Sequence, residues 1–337
     1  MESIAPGKLI LSGEHAVVHG NPAIAMAVDR YASTTVGQEE SDLVSFNLFD
    51  LKYHKSMTLH SLKKLKTRLK EDFSAFKKGE FGIKEVIKRP FELSQYALSS
   101  IFEKLTMQQK SGLHLTSHSQ IPIGCGMGSS AATILTTLHA IAQYHKLHLS
   151  PEKILELALD AENMQHGKSS GLDLQTSLYG GCILLHDEGI KKLPLLQGPL
   201  FLINTGKPEA TTGECVEACQ SHFVDPGLCA AFRECTERLE LALRNNDRQD
   251  IKEIFQTNQT LLERIGVIPA SVKQFIQQLT IEQNTAVKLC GAGTIRGEKA
   301  GVLLAICDEA PQALCQQYGY QWEAIKGEAH GLRSKDC

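Results

Sequence analysis

Residues 122–132 read Pro122-Ile123-Gly124-Cys125-Gly126-Met127-Gly128-Ser129-Ser130-Ala131-Ala132, and this stretch decides how the chain is read. Three glycines alternate with single residues, two hydroxyls follow, and two alanines open an apolar run. Glycine lets successive amides approach an anion with no side chain in the way, and a new helix directs its unpaired N–H groups at the same spot. The serines add oxygens of the kind that hold magnesium between nucleotide phosphates. Downstream, Ile134, Leu138, Ile141 and Ala142 recur at helical spacing, with no proline before Pro151. Upstream, residues 113–118 alternate as a half-buried strand does. The glycines therefore sit in a strand-to-helix connection. No lysine follows the last glycine, and the spacing is not G-x-G-x-x-G, so neither common nucleotide fingerprint applies. An isolated glycine triplet reads as well as a tight turn capped by Ser129. The leading proline, the paired serines and the immediate Ala-Ala shift the reading to phosphate binding, at Pro122, Gly124, Gly126, Met127, Gly128, Ser129, Ser130 and Ala131.

Working outward, 337 residues suit two domains with ample core. The 42% hydrophobic and 22% charged fractions are those of an ordinary globular protein, and a net charge of -3 selects no partner. The N-terminus does not read as a signal peptide, because Glu2 comes early and Pro6-Gly7 interrupts any apolar core. No apolar run approaches membrane-spanning length. All ten cysteines lie at or after Cys125 and form no C-x-x-C pair, so free thiols in a reducing cytoplasm are expected. Neither a membrane nor nucleic acid is expected as a partner.

A short strand at Gly7–Leu11 leads into Ser12–Gly20, with further strands at Ala23–Val28 and Ser33–Val36. From Lys52 to Arg89 twelve Lys/Arg face four Asp/Glu, a local charge of +8. Leu59, Leu62, Leu65 and Leu69 make this segment a basic amphipathic helix, read by default as a solvated face over a leucine stripe. A second helix is expected over Phe91–Leu105 and another over Pro151–Gln165, capped by Ser150. A strand follows at Gly180–His186, and the proline-punctuated turn Leu193–Pro199 is the expected boundary between domains 1–195 and 196–337. Beyond it come a strand at Leu200–Asn204, helices near Glu214–Cys219, Gly227–Asn245 and Asp250–Ile265, and a strand at Gly301–Ile306.

Four stretches together resemble the GHMP kinases. Ala5-Pro6-Gly7-Lys8-Leu9-Ile10-Leu11-Ser12-Gly13-Glu14-His15-Ala16-Val17-Val18-His19-Gly20 is similar to the first motif, and within it Gly13–Gly20 most resembles the mevalonate kinases. The glycine loop matches the second motif. Glu162 to Asp173 resembles the segment with the magnesium carboxylate and the catalytic aspartate, and Gly291-Ala292-Gly293 opens the third motif. The resemblance implies an α+β, two-domain GHMP kinase fold. Its N-terminal nucleotide-binding domain is of the ribosomal-protein-S5-domain-2-like type, its C-terminal domain is the α/β GHMP domain, and the active site lies in the cleft between them.

It implies ATP and Mg2+ as cofactors and mevalonate as the small-molecule substrate, in isoprenoid synthesis. A homodimer is compatible with it, since members often form one. Phosphoryl transfer needs in-line positioning, charge neutralisation and a proton acceptor. Asp173 would be that acceptor, and Lys8 would sit beside it, favouring the developing alkoxide. Glu162 and Ser130, with Ser129 as the alternative, would hold magnesium. Glu14 and His15 would bind the hydroxy acid, and Thr211 or Thr212 would contact substrate near Asp173. His166 reads as structural. The third motif departs from the usual glycine run, continuing Thr294-Ile295-Arg296-Gly297, so the loop takes a different path. Arg296 then reaches phosphate or a substrate carboxylate, or points to solvent. Competing readings are another GHMP acceptor (phosphomevalonate, homoserine or a sugar) and a silent relative acting as a sensor or interaction protein.

Overall fold

The computed structural model describes residues 2–104 and 112–335. Along the chain run β1 (Glu2–Ser12), β2 (Ala23–Glu39), the hairpin β3 (Val44–Leu48) and β4 (Tyr53–Met57), then helices α1 (Leu59–Lys77) and α2 (Glu92–Lys104). Next come β5 (Gly112–Ser119), helices α3 (Ser129–Tyr144), α4 (Pro151–His166) and α5 (Leu172–Tyr179), and the hairpin β6 (Cys182–His186) and β7 (Gly189–Leu193). Past residue 199 follow β8 (Leu200–Gly206), α6 (Thr212–Cys219), α7 (Pro226–Asn245), α8 (Arg248–Arg264) and α9 (Ala270–Gln283). The chain finishes with β9 (Ala286–Leu289), β10 (Gly301–Ile306), α10 (Gln312–Tyr318), β11 (Gln321–Ile325) and β12 (Arg333–Lys335).

Two sheets organise these elements. The first runs β12-β1-β2-β5-β3-β4, with β6 also on β2 and β7 on β6. Only β3 and β5 pair in parallel among its described strands. The second is an antiparallel β11-β8-β10-β9 sheet. Where two strands were expected across residues 23–36, β2 is a single strand of 17 residues. Asp29 and Arg30 look like a break but lie at its sheet-switching point. One flank of β2 pairs β6 through Met26 and then β5 from Ala32, while Asp29 and Arg30 bond to the 323–326 segment instead.

The site-bearing core lies where α3 crosses β1 and β2, flanked by α2, α4 and α5. Ile134, Leu135, Leu138 and Ile141 of α3 are fully buried, each contributing on the order of 1.5–3 kcal/mol of transfer free energy. The expected helix over Phe91–Leu105 is seen as α2, and its last residue falls outside the described residues. The basic segment forms α1, whose Leu62 and Leu69 are buried. Lys66 is buried as well, satisfied by an ion pair with Glu103. The segment after β11 returns to the first sheet, where Gly181 and Glu328 exchange backbone bonds with their neighbours and β12 pairs β1.

Candidate active site

The geometry starts at a bulge in β1. The register against β2 shifts between Pro6 and Gly7, as expected where proline offers no N–H to the ladder. On the flank of β1 that β12 covers only as far as Ile4, the glycine loop takes over. The Lys8 N–H donates to the Met127 carbonyl at 2.9 Å, and a Cβ at Gly7 would lie 3.1 Å from that oxygen. Lys8 is buried, and its Nζ donates to the Gly126 carbonyl at 2.9 Å while pairing with Asp173 Oδ1 at 3.0 Å. One lysine thereby joins the first strand, the glycine loop and an aspartate in the opening turn of α5.

Gly124, Gly126 and Gly128 all have positive φ, at 74°, 90° and 72°. Gly128 itself, in the left-handed conformation, is the N-cap of α3, so Ser129 is the first helical residue rather than the cap. The first bond of that helix runs from Ala132 N–H to the Gly128 carbonyl at 3.0 Å. The N–H groups of Ser129, Ser130 and Ala131 have no helical acceptor, the arrangement that suits an anion at a helix terminus. A Cβ on Gly128 would press on Lys8 Cγ at 3.1 Å and approach Asp173 Oδ2 at 3.6 Å, so glycine here makes room for the ion pair.

A cavity of about 540 Å³ opens over the loop. Its floor is Gly124–Ser130, with His166, Asp173, Ala292 and Gly293 beside it. One wall is apolar, built by Leu48, Leu51, Ile83, Ile87, Pro90 and Leu93, and the opposite wall is the 207–213 turn. Glu162 on α4 is buried at 2% exposure and accepts a hydrogen bond from the Ser169 hydroxyl. Burial, and secondly the Asp173 carboxylate, push its carboxyl up to about 8, against the pull of Ser169 and Lys8. Two acidic groups that raise one another's cost of ionisation, with Lys8 acting on both, are a place where a further cation is stabilised. Burial pushes the His166 imidazole down, and the residue expected to be structural stands in the cavity wall.

Glu14 and His15 follow β1 and are both buried; neither lines the cavity. Lys288, fully buried on β9, pairs with Glu14 Oε1 and donates to the carbonyls of Ile10 at 3.1 Å and Leu289 at 2.7 Å. Burial raises the Glu14 carboxyl despite that partner. His15 sits at φ 61° and its Nε2 contacts the Ala292 carbonyl at 2.9 Å, so Nε2 carries the proton and Nδ1 is an acceptor. Burial pushes this imidazole down to about 4, keeping it neutral. Glu14 Oε2 and His15 Nδ1 are buried acceptors with no partner within the protein. Sequence reasoning missed Lys288, although a lone lysine in the apolar run Ala286–Leu289 signals a buried partner.

Gly126 and Gly291 meet backbone to backbone, a Cβ on either falling within 3.2 Å of the other's Cα. This contact is why the second and third motifs each carry glycine there. Beyond it, Thr294 takes the place of a further glycine, its N–H donating to the Val267 carbonyl and its hydroxyl to the Arg296 carbonyl. Arg296 is exposed to solvent and lies outside the cavity lining. Its Nη2 pairs with Glu214 Oε1 at 2.9 Å, a carboxylate that Lys84 also reaches at 2.8 Å. Thr211 and Glu214 form a capping box on α6. Hydrogen bonds from Lys84, then from the Thr211 backbone and Arg296, hold the Glu214 carboxyl well below its ordinary range. Thr211 and Thr212 both line the cavity. Pro122, Ala131, Gly291, Lys8 and Glu162 stand behind the lining rather than in it.

A model of the GHMP kinases N terminal domain matches residues 92–181, which span the glycine loop, Glu162 and Asp173. A mevalonate kinase of Thermococcus sibiricus is 27% identical over 299 residues, covering 86% of this chain and 85% of its own length. That of Pyrococcus horikoshii is 28% identical, covering 86% and 84%. Among solved structures, a mevalonate kinase superposes with a TM-score of 0.81 at 22% identity over 98% of this chain and 100% of its own. The mevalonate kinase of Methanococcus jannaschii superposes at 0.79, with 23% identity over 97% and 98%. These superpositions show the α+β GHMP kinase fold.

Proposed function

We propose that this chain, which belongs to the GHMP kinases, transfers the γ-phosphoryl group of ATP to the 5-hydroxyl of mevalonate, giving 5-phosphomevalonate for isoprenoid synthesis. The observation that carries the reading is the Lys8–Asp173 pair, set at 3.0 Å against the glycine loop at the head of α3. Phosphoryl transfer asks a protein for positioned cations, an anion cradle and a proton acceptor in one place, and these residues supply all three. The names of the Thermococcus and Pyrococcus relatives support mevalonate as acceptor.

In this reading the apolar wall from Leu48 to Leu93 receives the base. The free N–H groups of Ser129–Ala131 and the loop amides hold the phosphates. Asp173 takes the proton of the attacking hydroxyl as the new P–O bond forms, since a carboxylate is too weak a base to ionise the alcohol beforehand. Lys8 stabilises the negative charge that grows on that oxygen. Glu162 with Ser130, or Ser129, fits a magnesium ion: a hard oxygen donor set, and a buried carboxylate pressed by a second one. The chemistry such an ion would supply there is neutralisation of phosphate charge. Glu14 and His15 lie behind the cavity lining, where His15 holds Ala292 of the lining and so shapes the substrate side of the cavity from beneath. Buried free thiols such as Cys182, Cys290 and Cys315 suit a reducing cytoplasm.

The deciding experiment offers ATP, magnesium and one alcohol at a time: mevalonate, phosphomevalonate, homoserine and galactose. Mevalonate is expected to be the preferred acceptor by kcat/KM. Turnover of another alcohol without mevalonate would replace the substrate while keeping the chemistry. Asp173→Ala is expected to lower kcat by on the order of 10²–10⁴ in a folded protein, and unchanged kcat would remove Asp173 from its role.

A further inference from the structure

The glycine loop lacks the lysine that nucleotide loops of the Walker type place at their end, and the cation nearest its backbone, Lys8, is already committed to Asp173 and the Gly126 carbonyl. Lys84, in the lining, and Arg296, outside it, are both spent on Glu214, and Lys88, the other lysine of the lining, belongs with Ile87 and Pro90 to the segment that builds the apolar wall. A polyphosphate on the glycine loop would meet helix and loop amides but no uncommitted ammonium from Lys8 or Lys84.

Lys207 fills the gap. It stands in the first turn after β8, lines the cavity and is exposed to it, and no carboxylate among the described residues pairs with it. Its stem lies along the glycine loop. A Cβ on Gly124 would meet Lys207 Cε at 3.0 Å, Cδ at 3.6 Å and Cγ at 3.7 Å, so the first glycine of the loop is what seats this side chain. The turn that presents it is pinned on each side. Gly206, at φ 107°, packs so closely on the Lys299 stem that a Cβ would come within 2.5 Å of it. The Thr205 hydroxyl donates to the Gly301 carbonyl at 2.8 Å and accepts from Ala300 N–H at 2.9 Å. The Gly206 N–H is held by Asn204 Oδ1 at 2.9 Å. A flexible side chain is thus carried on a fixed backbone, directly above amides arranged for an anion.

We propose that Lys207 is a phosphate-binding residue, contributed by the second sheet, whose ammonium contacts the β- and γ-phosphates of the nucleotide lying on the glycine loop. The inference rests on the kinase reading and adds to it a residue that sequence motifs do not mark. Its consequence is selectivity: a diphosphate or triphosphate gains a charge-assisted contact that a monophosphate does not reach.

Binding of AMP, ADP and the non-hydrolysable β,γ-imido analogue of ATP is measured calorimetrically on the full chain. The wild type is compared with Lys207→Met, Lys207→Arg and, as a charge control, Lys191→Met on β7. Lys207→Met is expected to weaken ADP and the ATP analogue by about tenfold or more while AMP changes less than about twofold. Lys207→Arg should recover most of the loss, and Lys191→Met should leave the ADP-to-AMP ratio of the wild type. Thermal unfolding of each variant confirms that it folds. An unchanged ADP-to-AMP ratio in Lys207→Met, or an equal loss for all three nucleotides, overturns the proposal and leaves the kinase reading standing. A wild type that binds none of the three overturns the kinase reading itself.

Discussion

At the scale of single residues, His15 shows how a buried side chain is kept in one protonation state. Its Nε2 proton is fixed by the Ala292 carbonyl, and burial holds the ring to a value of about 4 against 6.5 unfolded. Because the folded state binds the proton less readily than the unfolded chain, stability is unaffected above pH 6.5 and falls as the pH drops from there towards 4. The thermal midpoint should therefore decline over that window in the wild type. His15→Gln, which keeps an N–H donor but cannot titrate, should show a flatter profile. Parallel profiles for the two proteins would mean that other groups set the acid limb. Lys288 makes the complementary point for charge. Truncating it would strand Glu14 as a buried, unpaired carboxyl, a change of the kind that costs about 3–5 kcal/mol.

At the scale of elements, α6 is short and amphipathic, and it is held mainly at its start. Thr211 accepts from the Glu214 N–H while Glu214 accepts from the Thr211 N–H at 2.8 Å. The same carboxylate gathers Lys84 from the basic insert and Arg296 from the loop after the third motif. Thr211→Ala is expected to cost about 1 kcal/mol, read as a shift in the denaturant midpoint with an unchanged slope; a shift near zero would mean that Arg296 and Lys84 hold the turn unaided. The existence of α6 was legible from the sequence, as were α3, α4, α7 and α8, because each has an apolar stripe at helical spacing. Helix α9 carries the same signal in Val272, Phe275, Ile276 and Leu279, over a span of 14 residues. The partners of Arg296 were not legible, since phosphate, solvent and a protein carboxylate are equal prospects for an arginine until the fold brings Glu214 to it.

At the scale of the whole molecule, the chain closes on itself. β12 covers the edge of β1 through three residue pairs, Lys335 pairs with Glu2 at 3.2 Å, and Arg333 packs over the Tyr31 ring. Ending the chain after residue 332 removes these and leaves a strand edge open to pairing with other copies. The truncated protein is expected to melt a few degrees lower, in line with a loss of about 1–2 kcal/mol, and to scatter light earlier on heating. An unchanged melting profile would show that β12 is dispensable. The sequence marked the strand it protects but not the strand itself, for a three-residue edge has too little pattern to be seen. What the sequence did show at this scale was the order of the motifs. What it could not show was that Lys8, Lys207 and Lys288 reach one region from three different strands or their ends.

The bare contact between Gly126 and Gly291 has a mechanical consequence. Two backbones touching with no side chains between them leave no rotamer change by which the floor of the cavity could absorb added volume. The same closeness ties the second motif to the third without any intervening side chain. A side chain larger than glycine at either position would have to part the two loops, and with them the Lys8–Asp173 pair and the head of α3 that the glycine loop carries.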